Sequence, residues 1–368
     1  MAIVPRDRSG FKGDLNSALP RIALTLGDVA GIGPEIVARA VSDPSLSQWC
    51  RPVVVGHPDV FQRALQQIGS PLRVQPESRL ADEPAALDDL HVTVFNPADD
   101  AAADVPLGKL DARAGRAAYD YLVAATRAAL RGEIDAITTA PLNKAALHLA
   151  GLHYPGHTEI LAEECGITDF GMMLYLPVGG RIHSPNGLGV IHVTLHTSIR
   201  SVPELITTAG VREKIGLIDG YLRRIGCDVP RVAVCALNPH AGEEGIFGDE
   251  ESRLIAPAVQ SAQTMGLQVQ GPYPADTLLK RAVAGEFDGV VAMYHDQGHI
   301  ALKLIGFDTA VNITLGLPIV RTSPSHGTAF DIAGRNQADP QGFLQAVRIA
   351  SLLSRNREFA PNELSELD

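Results

Sequence analysis

Short runs of β-branched and apolar residues alternate with stretches of helical period along this chain, and that alternation restricts its fold more than any other feature. The strand-like runs are RIALTL (21–26), PVVVG (52–56), HVTVF (91–95), AITT (136–139), MMLYL (172–176), GVIHVTL (189–195), RVAVCAL (231–237), GVVAMY (289–294), AVNIT (310–314) and IVRT (319–322). Helix-like stretches such as GPEIVARAVS, AGRAAYDYLVAATRAALRG and VPELITTAGVREKIGLIDGYLRRIG lie between them. Such alternation predicts βαβ units whose largely parallel sheets are covered on both faces. At 368 residues the chain exceeds one ordinary core, so an α/β protein of two α/β/α domains is expected.

The expected division places residues 21–150 with about 325–368 in the first domain and 151–324 in the second, with residues 1–20 a mobile extension. That extension, MAIVPRDRSGFKGDLNSALP, lacks the apolar centre of a signal or anchor. No apolar run approaches the roughly 18 residues of a membrane helix. The four cysteines, Cys50, Cys165, Cys227 and Cys235, show neither C-x-x-C spacing nor disulfide-scaffold density. Reduced thiols and a cytoplasmic location are expected. A net charge of −11 argues against a general nucleic-acid binder, though it permits a small basic pocket for an anionic substrate.

Polar residues fall at the ends of the strands. The run 21–26 leads into Gly27-Asp28, 136–139 into APLNK, 189–195 into His196, 231–237 into Asn238-Pro239-His240, and 289–294 into His295-Asp296. In open parallel sheets ligands bind beyond the carboxyl ends of strands. His196, His240 and His295 share this position, and imidazole suits borderline divalent metals while leaving room for substrate. His192 lies mid-strand and reads as structural. His299, one turn into the following helix, fits either role.

Other motifs carry two readings each. TLGDVAGIGPEI (25–36) has Gly31-x-Gly33 before Pro34 but Ile36 where a dinucleotide fingerprint needs glycine. A turn that packs a helix closely on its strand accounts for it equally well. YPGHTEIL (154–161) offers His157 and Thr158, the latter also a helix cap. Lys303, Asn312 and Arg321 are candidates for one anion, with arginine supplying a planar fork. Asp276 in GPYPADTLLK fits a turn-and-cap role or a catalytic one.

Taken together, GDVAGIGPEI, APLNK, YPGHTE, NPHAGEEGIFGDEE, GPYPADT, AMYHDQGH, VNITLGLPIVRTS and HGTAFDIAG resemble the 4-hydroxythreonine-4-phosphate dehydrogenase family of vitamin B6 biosynthesis. The resemblance runs in order from about Arg21 to Gly334. It implies two α/β/α domains of the isocitrate/isopropylmalate dehydrogenase-like fold and an active site in the interdomain cleft of a homodimer, shared between subunits. It implies NAD or NADP and one divalent metal, Zn, Mg, Mn or Co, held by His196, His240 and His295. Substrate contacts fall on His157, Thr158, Lys303, Asn312 and Arg321, and the catalytic candidates are His157, Asp276 and Lys303. No residue is assigned to the nucleotide.

The implied reaction oxidises a phosphorylated four-carbon 3-hydroxy acid, after which the β-keto acid loses carbon dioxide. A 4-phosphohydroxy-L-threonine substrate gives 3-amino-2-oxopropyl phosphate. Val29 replaces the family's usual proline, PVGGRIHSPNGLGV between MMLYL and HVTLH is longer than the usual hairpin, and AMYHDQGHIALKL is nearer the paralogous branch. That branch acts on 4-phospho-D-threonate or 4-phospho-D-erythronate and gives dihydroxyacetone phosphate. A more distant branch oxidises a cis-dihydrodiol dicarboxylate. Acyl-phosphate transferases share the wider fold, as would a non-catalytic binding module, and neither needs three imidazoles at strand ends.

Overall fold

The computed structural model describes residues 19–80 and 90–356; of the extension expected at 1–20, all but the last two residues lie outside this range. In chain order the strands are Arg21–Thr25 (β1), Arg51–Val55 (β2), Arg73–Glu77 (β3), His91–Phe95 (β4), Ala136–Thr139 (β5) and Gly171–Leu176 (β6). There follow Leu188–His192 (β7), Val232–Cys235 (β8), Val269–Tyr273 (β9), Gly289–Ala292 (β10), Val311–Leu315 (β11) and Arg321–Pro324 (β12).

Two compact units contain these strands. One unit, Asn16–Phe170 with Leu317–Arg355, orders its strands β3-β4-β2-β1-β5-β12, all neighbours parallel. The other, Gly171–Gly316, orders them β11-β6-β7-β10-β8-β9. There β6 runs antiparallel to both β11 and β7, and the remaining neighbours are parallel. The mostly parallel α/β architecture expected from the alternating runs is therefore present. The divisions fall at 170/171 and 316/317 rather than at 150/151 and 324/325. Helix His157–Cys165 belongs with the first unit because it packs on helix Ala112–Leu130 there.

Of the four strands that carry a proline, two escape a pattern reading: β3 is RVQPE and β9 is VQGPY. Each ends its strand order, and a strand that lacks one ladder donor is tolerated at an edge. Three anticipated strands stop early, leaving Val193–Leu195, Ala236–Leu237 and Met293–Tyr294 outside the ladder. These residues begin the loops that carry the histidines.

The glycine-rich motif after β1 is a packing device. A Cβ on Gly31 would lie 2.7 Å from the Thr328 carbonyl oxygen, and Ile32 donates to that same oxygen at 3.0 Å. A Cβ on Gly33 would meet the Leu26 carbonyl oxygen just after β1, so helix Gly33–Val41, with Pro34 in its first turn, starts close against the end of its strand. In the second unit the long β6–β7 connection is pinned beneath the sheet. Buried Asp288 accepts from Ser184 Oγ at 2.7 Å, from Asn186 Nδ2 at 3.2 Å and from Arg231 Nη2 at 2.9 Å. That pairing, together with Ser184 and Asn186, holds the Asp288 carboxyl below its ordinary range against the upward push of burial. The four cysteines are free thiols.

Candidate active site

His196 and His295 leave neighbouring parallel strands, β7 and β10, and their ring centres lie 5.8 Å apart. Two imidazoles on one tetrahedral ion at about 2.0–2.1 Å would have centres roughly 5 Å apart, so this pair fits a shared cation after a small closure. His295 Nδ1 contacts Asp296 Oδ1 at 2.6 Å. A carboxylate on Nδ1 fixes the ring so that Nε2 keeps its lone pair outward, the usual arrangement behind a metal-bound histidine. A hollow of about 500 Å³ opens beside Leu195, His196, Tyr294, His295 and Asp296.

His240 has the same local arrangement in a different place. Its Nδ1 contacts Glu243 Oε2 at 3.0 Å, and its side chain is 69% exposed. It begins a run, His240 to Glu244, in which every φ is positive. Left-handed backbone costs about 1–2 kcal/mol per non-glycine residue, so the run needs an anchor. Buried Glu251 provides one, accepting from the backbone of Leu237 and Asn238, each at 2.8 Å, and from Asn238 Nδ2 at 3.0 Å. One chain thus brings His196 and His295 together but not His240. Among the described residues no group of three or more histidine, cysteine or carboxylate side chains is arranged to hold a metal. The sequence reading gave Glu243 and Asp296 no role as partners of the histidines, although each lies within three residues of its own.

Behind His295 lie two further imidazoles. His299 stacks on it with ring centres 3.8 Å apart and planes 11° from parallel. His299 Nδ1 in turn meets His192 Nε2 at 3.2 Å. Burial, foremost, lowers the pKa of His192 to about 4 and that of His299 to about 3, so both rings are neutral at pH 7.

In the first unit the ends of β5 and β12 assemble a cationic cluster. Arg321 is buried at the start of β12, beside β5, and its Nη2 donates to Thr139 Oγ1 at 2.7 Å. Burial pushes the guanidinium pKa down to about 9, and the Glu159 carboxylate opposes that shift. His157 opens helix His157–Cys165, followed by Thr158. Burial and the nearby cations Arg321 and Lys144 hold the imidazole well below its ordinary pKa, against a hydrogen bond with the Ala140 backbone. Thr139 was hidden from sequence reasoning because it reads as the last residue of a strand.

Asp28, after β1, is fully buried, and its Oδ1 accepts from the Ala30 amide at 2.8 Å. Burial raises its pKa from 3.8 to about 6. The folded chain therefore holds this proton where the unfolded chain has released it, and stability falls as pH rises through that window. Asp28→Asn removes the dependence: between about pH 4 and pH 8 wild type should lose roughly 3 kcal/mol relative to the variant, read from paired melting curves. Parallel pH profiles for the two proteins would contradict this.

The remaining candidates are spread through the second unit. Asn312 lies on β11 with its Oδ1 buried and its Nδ2 3.6 Å from Met172 Sδ. Lys303 is exposed on helix His295–Gly306, 6.0 Å from the centre of the Phe307 ring. Asp276 is exposed in the first turn of helix Ala275–Val283.

The family model described as pyridoxal phosphate biosynthetic protein PdxA matches residues 48–350. A D-threonate 4-phosphate dehydrogenase of Salmonella typhimurium is 45% identical over 335 residues, which cover 90% of this chain and 98% of the relative. A 4-hydroxythreonine-4-phosphate dehydrogenase of Trichlorobacter lovleyi is 44% identical over 346 residues, covering 93% of this chain and 100% of the relative. A crystal structure of 4-hydroxythreonine-4-phosphate dehydrogenase from Klebsiella pneumoniae aligns with a TM-score of 0.78 and 42% identity, covering 91% of this chain and 99% of that one.

Proposed function

The chain belongs to the PdxA family and is a dehydrogenase, and from that premise we propose that it uses NAD and a divalent metal to oxidise a phosphorylated four-carbon 3-hydroxy acid, with loss of carbon dioxide. The observation that carries the reading is the His196–His295 pair, with Asp296 on the far nitrogen of His295. We assign the metal to His196, His295 and His240. A divalent ion held there would supply Lewis acidity to the reacting alcohol and to the ketone it becomes.

The chain's own groups do the rest. Arg321 presents a fixed fork to the phosphate, with Thr158, Lys303 and Asn312 as further substrate contacts. His157 is the first of the two base candidates because it lies beside Arg321, the proposed phosphate fork. Asp276, exposed in its helix turn, is the second.

A homodimer completes the reading. Around the histidines the second unit exposes Ile199, Leu205, Ile246, Phe247, Ile300 and Leu304, the last 77% exposed. Apolar surface of this kind marks an interaction site, and a second copy laid over it can bring its own His240 to the first copy's pair. Two substrates fit the chemistry: 4-phosphohydroxy-L-threonine, and 4-phospho-D-threonate, which carries a hydroxyl in place of the amine. The segment AMYHDQGHIALKL favours the second reading as strongly as the family name favours the first. No helix among the described residues is long and apolar enough to cross a bilayer.

The test is a panel of both compounds, 4-phospho-D-erythronate and the unphosphorylated dihydrodiol acid, each with NAD and with NADP. Reduced nucleotide should form with one phosphorylated compound, stop on adding a chelator, and return with Zn²⁺, Mg²⁺, Mn²⁺ or Co²⁺. Turnover that survives exhaustive chelation would refute the metal assignment.

A further inference from the structure

We infer that His299, oriented by His192, is a positioning residue that holds the His295 ring in place for a cation. The inference rests on the assignment of His295 as a metal ligand and adds to it a supporting layer of imidazoles.

The hydrogen-bond chain has one consistent set of protons. His192 Nδ1 lies 3.3 Å from the Met172 carbonyl oxygen, which can only accept, so Nδ1 carries the hydrogen. His192 Nε2 is then an acceptor, and the group 3.2 Å away, His299 Nδ1, must donate to it. The same Nδ1 lies 3.2 Å from the His295 carbonyl oxygen, a second acceptor. One strand carbonyl therefore fixes two tautomers and the plane of the outer ring.

That plane matters because His295 and His299 are one turn apart on the same helix face. The 3.8 Å, nearly parallel stack covers one face of the His295 ring. Asp296 meets the edge of the ring while His299 covers its face, so two independent contacts set its direction. The residue between them in space is also constrained. A Cβ on Gly298 would lie 2.5 Å from His192 Nε2 and 2.8 Å from Val190 Cγ1. Only glycine lets the helix sit this close to the His192 ring, although it costs about 1 kcal/mol of helix propensity against alanine.

The experiment is a Co²⁺ titration of metal-stripped full-length protein, by calorimetry and visible absorption, on wild type, His295→Ala, His299→Ala, His299→Phe and Gly298→Ala. Loss of a supporting contact typically weakens metal binding about 10–100-fold, and His299→Ala should raise the Kd by that factor. Phenylalanine keeps the stacked face, so His299→Phe should recover most of the affinity. Gly298→Ala retains every histidine yet displaces His192, and should weaken binding as well. Circular dichroism on each variant separates misfolding from weakened binding; if His299→Ala fails to fold, His299→Phe and Gly298→Ala carry the test. Wild-type affinity in His299→Ala alongside lost binding in His295→Ala would overturn the positioning role and leave the metal assignment standing. Wild-type affinity in His295→Ala would remove the assignment itself. A His299→Phe protein as weak as His299→Ala would show that the stack is not what orients the ring.

Discussion

Replacing Arg321 with alanine is expected to lower kcat/KM for the phosphorylated substrate by about 10³-fold, since truncating one partner of a buried, hydrogen-bonded charge pair costs about 2–5 kcal/mol. The guanidinium is buried at the start of β12, and Thr139 Oγ1 accepts from its Nη2. Burial keeps this cation from water and pushes its pKa down to about 9 against the Glu159 carboxylate, a desolvation cost. A dianionic phosphate would relieve that cost, and the relief is the binding energy the variant forfeits. Arg321→Lys keeps the charge but loses the planar fork, so its defect should be intermediate and appear mostly in KM. Turnover of an unphosphorylated dihydrodiol acid, if any is measurable, should change little in Arg321→Ala. Equal losses on phosphorylated and unphosphorylated compounds would mean that Arg321 serves the fold and not the phosphate.

The strand framework was legible because its buried strands are short, continuous and β-branched. AITT became β5 residue for residue, and the histidines do follow strands. The edge strands were not legible, because proline in RVQPE and VQGPY reads as a breaker to anyone who cannot see that the position is an edge. The contact between His192 and His299 was hidden for another reason. His192 pairs with Ala292 across the parallel β7–β10 ladder, which sets it beside the turn leading to His295 and His299. Nothing in one sequence states that strands separated by about a hundred residues are neighbours, so His192 read as structural filler. His240 differs: its loop follows β8, and in one chain its side chain is 69% exposed. The sequence nominates three histidines as ligands, and the described residues of one chain bring two of them together.

That incompleteness yields the second large effect. His295→Ala and His240→Ala should each reduce turnover at least about 10³-fold as purified proteins, because each removes one of the three ligands proposed for the divalent ion. Mixed under conditions that exchange subunits, the two inactive proteins should regain activity. In the mixed dimer the His240→Ala subunit contributes intact His196 and His295, and the His295→Ala subunit contributes His240. One of the two sites is then complete. With random exchange, half of the dimers are mixed and each has one working site, so about a quarter of wild-type turnover should return for an isologous pair. The control follows from the 5.8 Å separation of the His196 and His295 rings. If both belong to the same protomer's half of the site, mixing His196→Ala with His295→Ala leaves every site defective and restores nothing. Recovery in that control, with or without recovery in the first mixture, would place His196 and His295 on opposite sides of the interface. Silence in both, with exchange verified by mass spectrometry, would mean that all three ligands come from one chain and that His240 swings inward to join the other two.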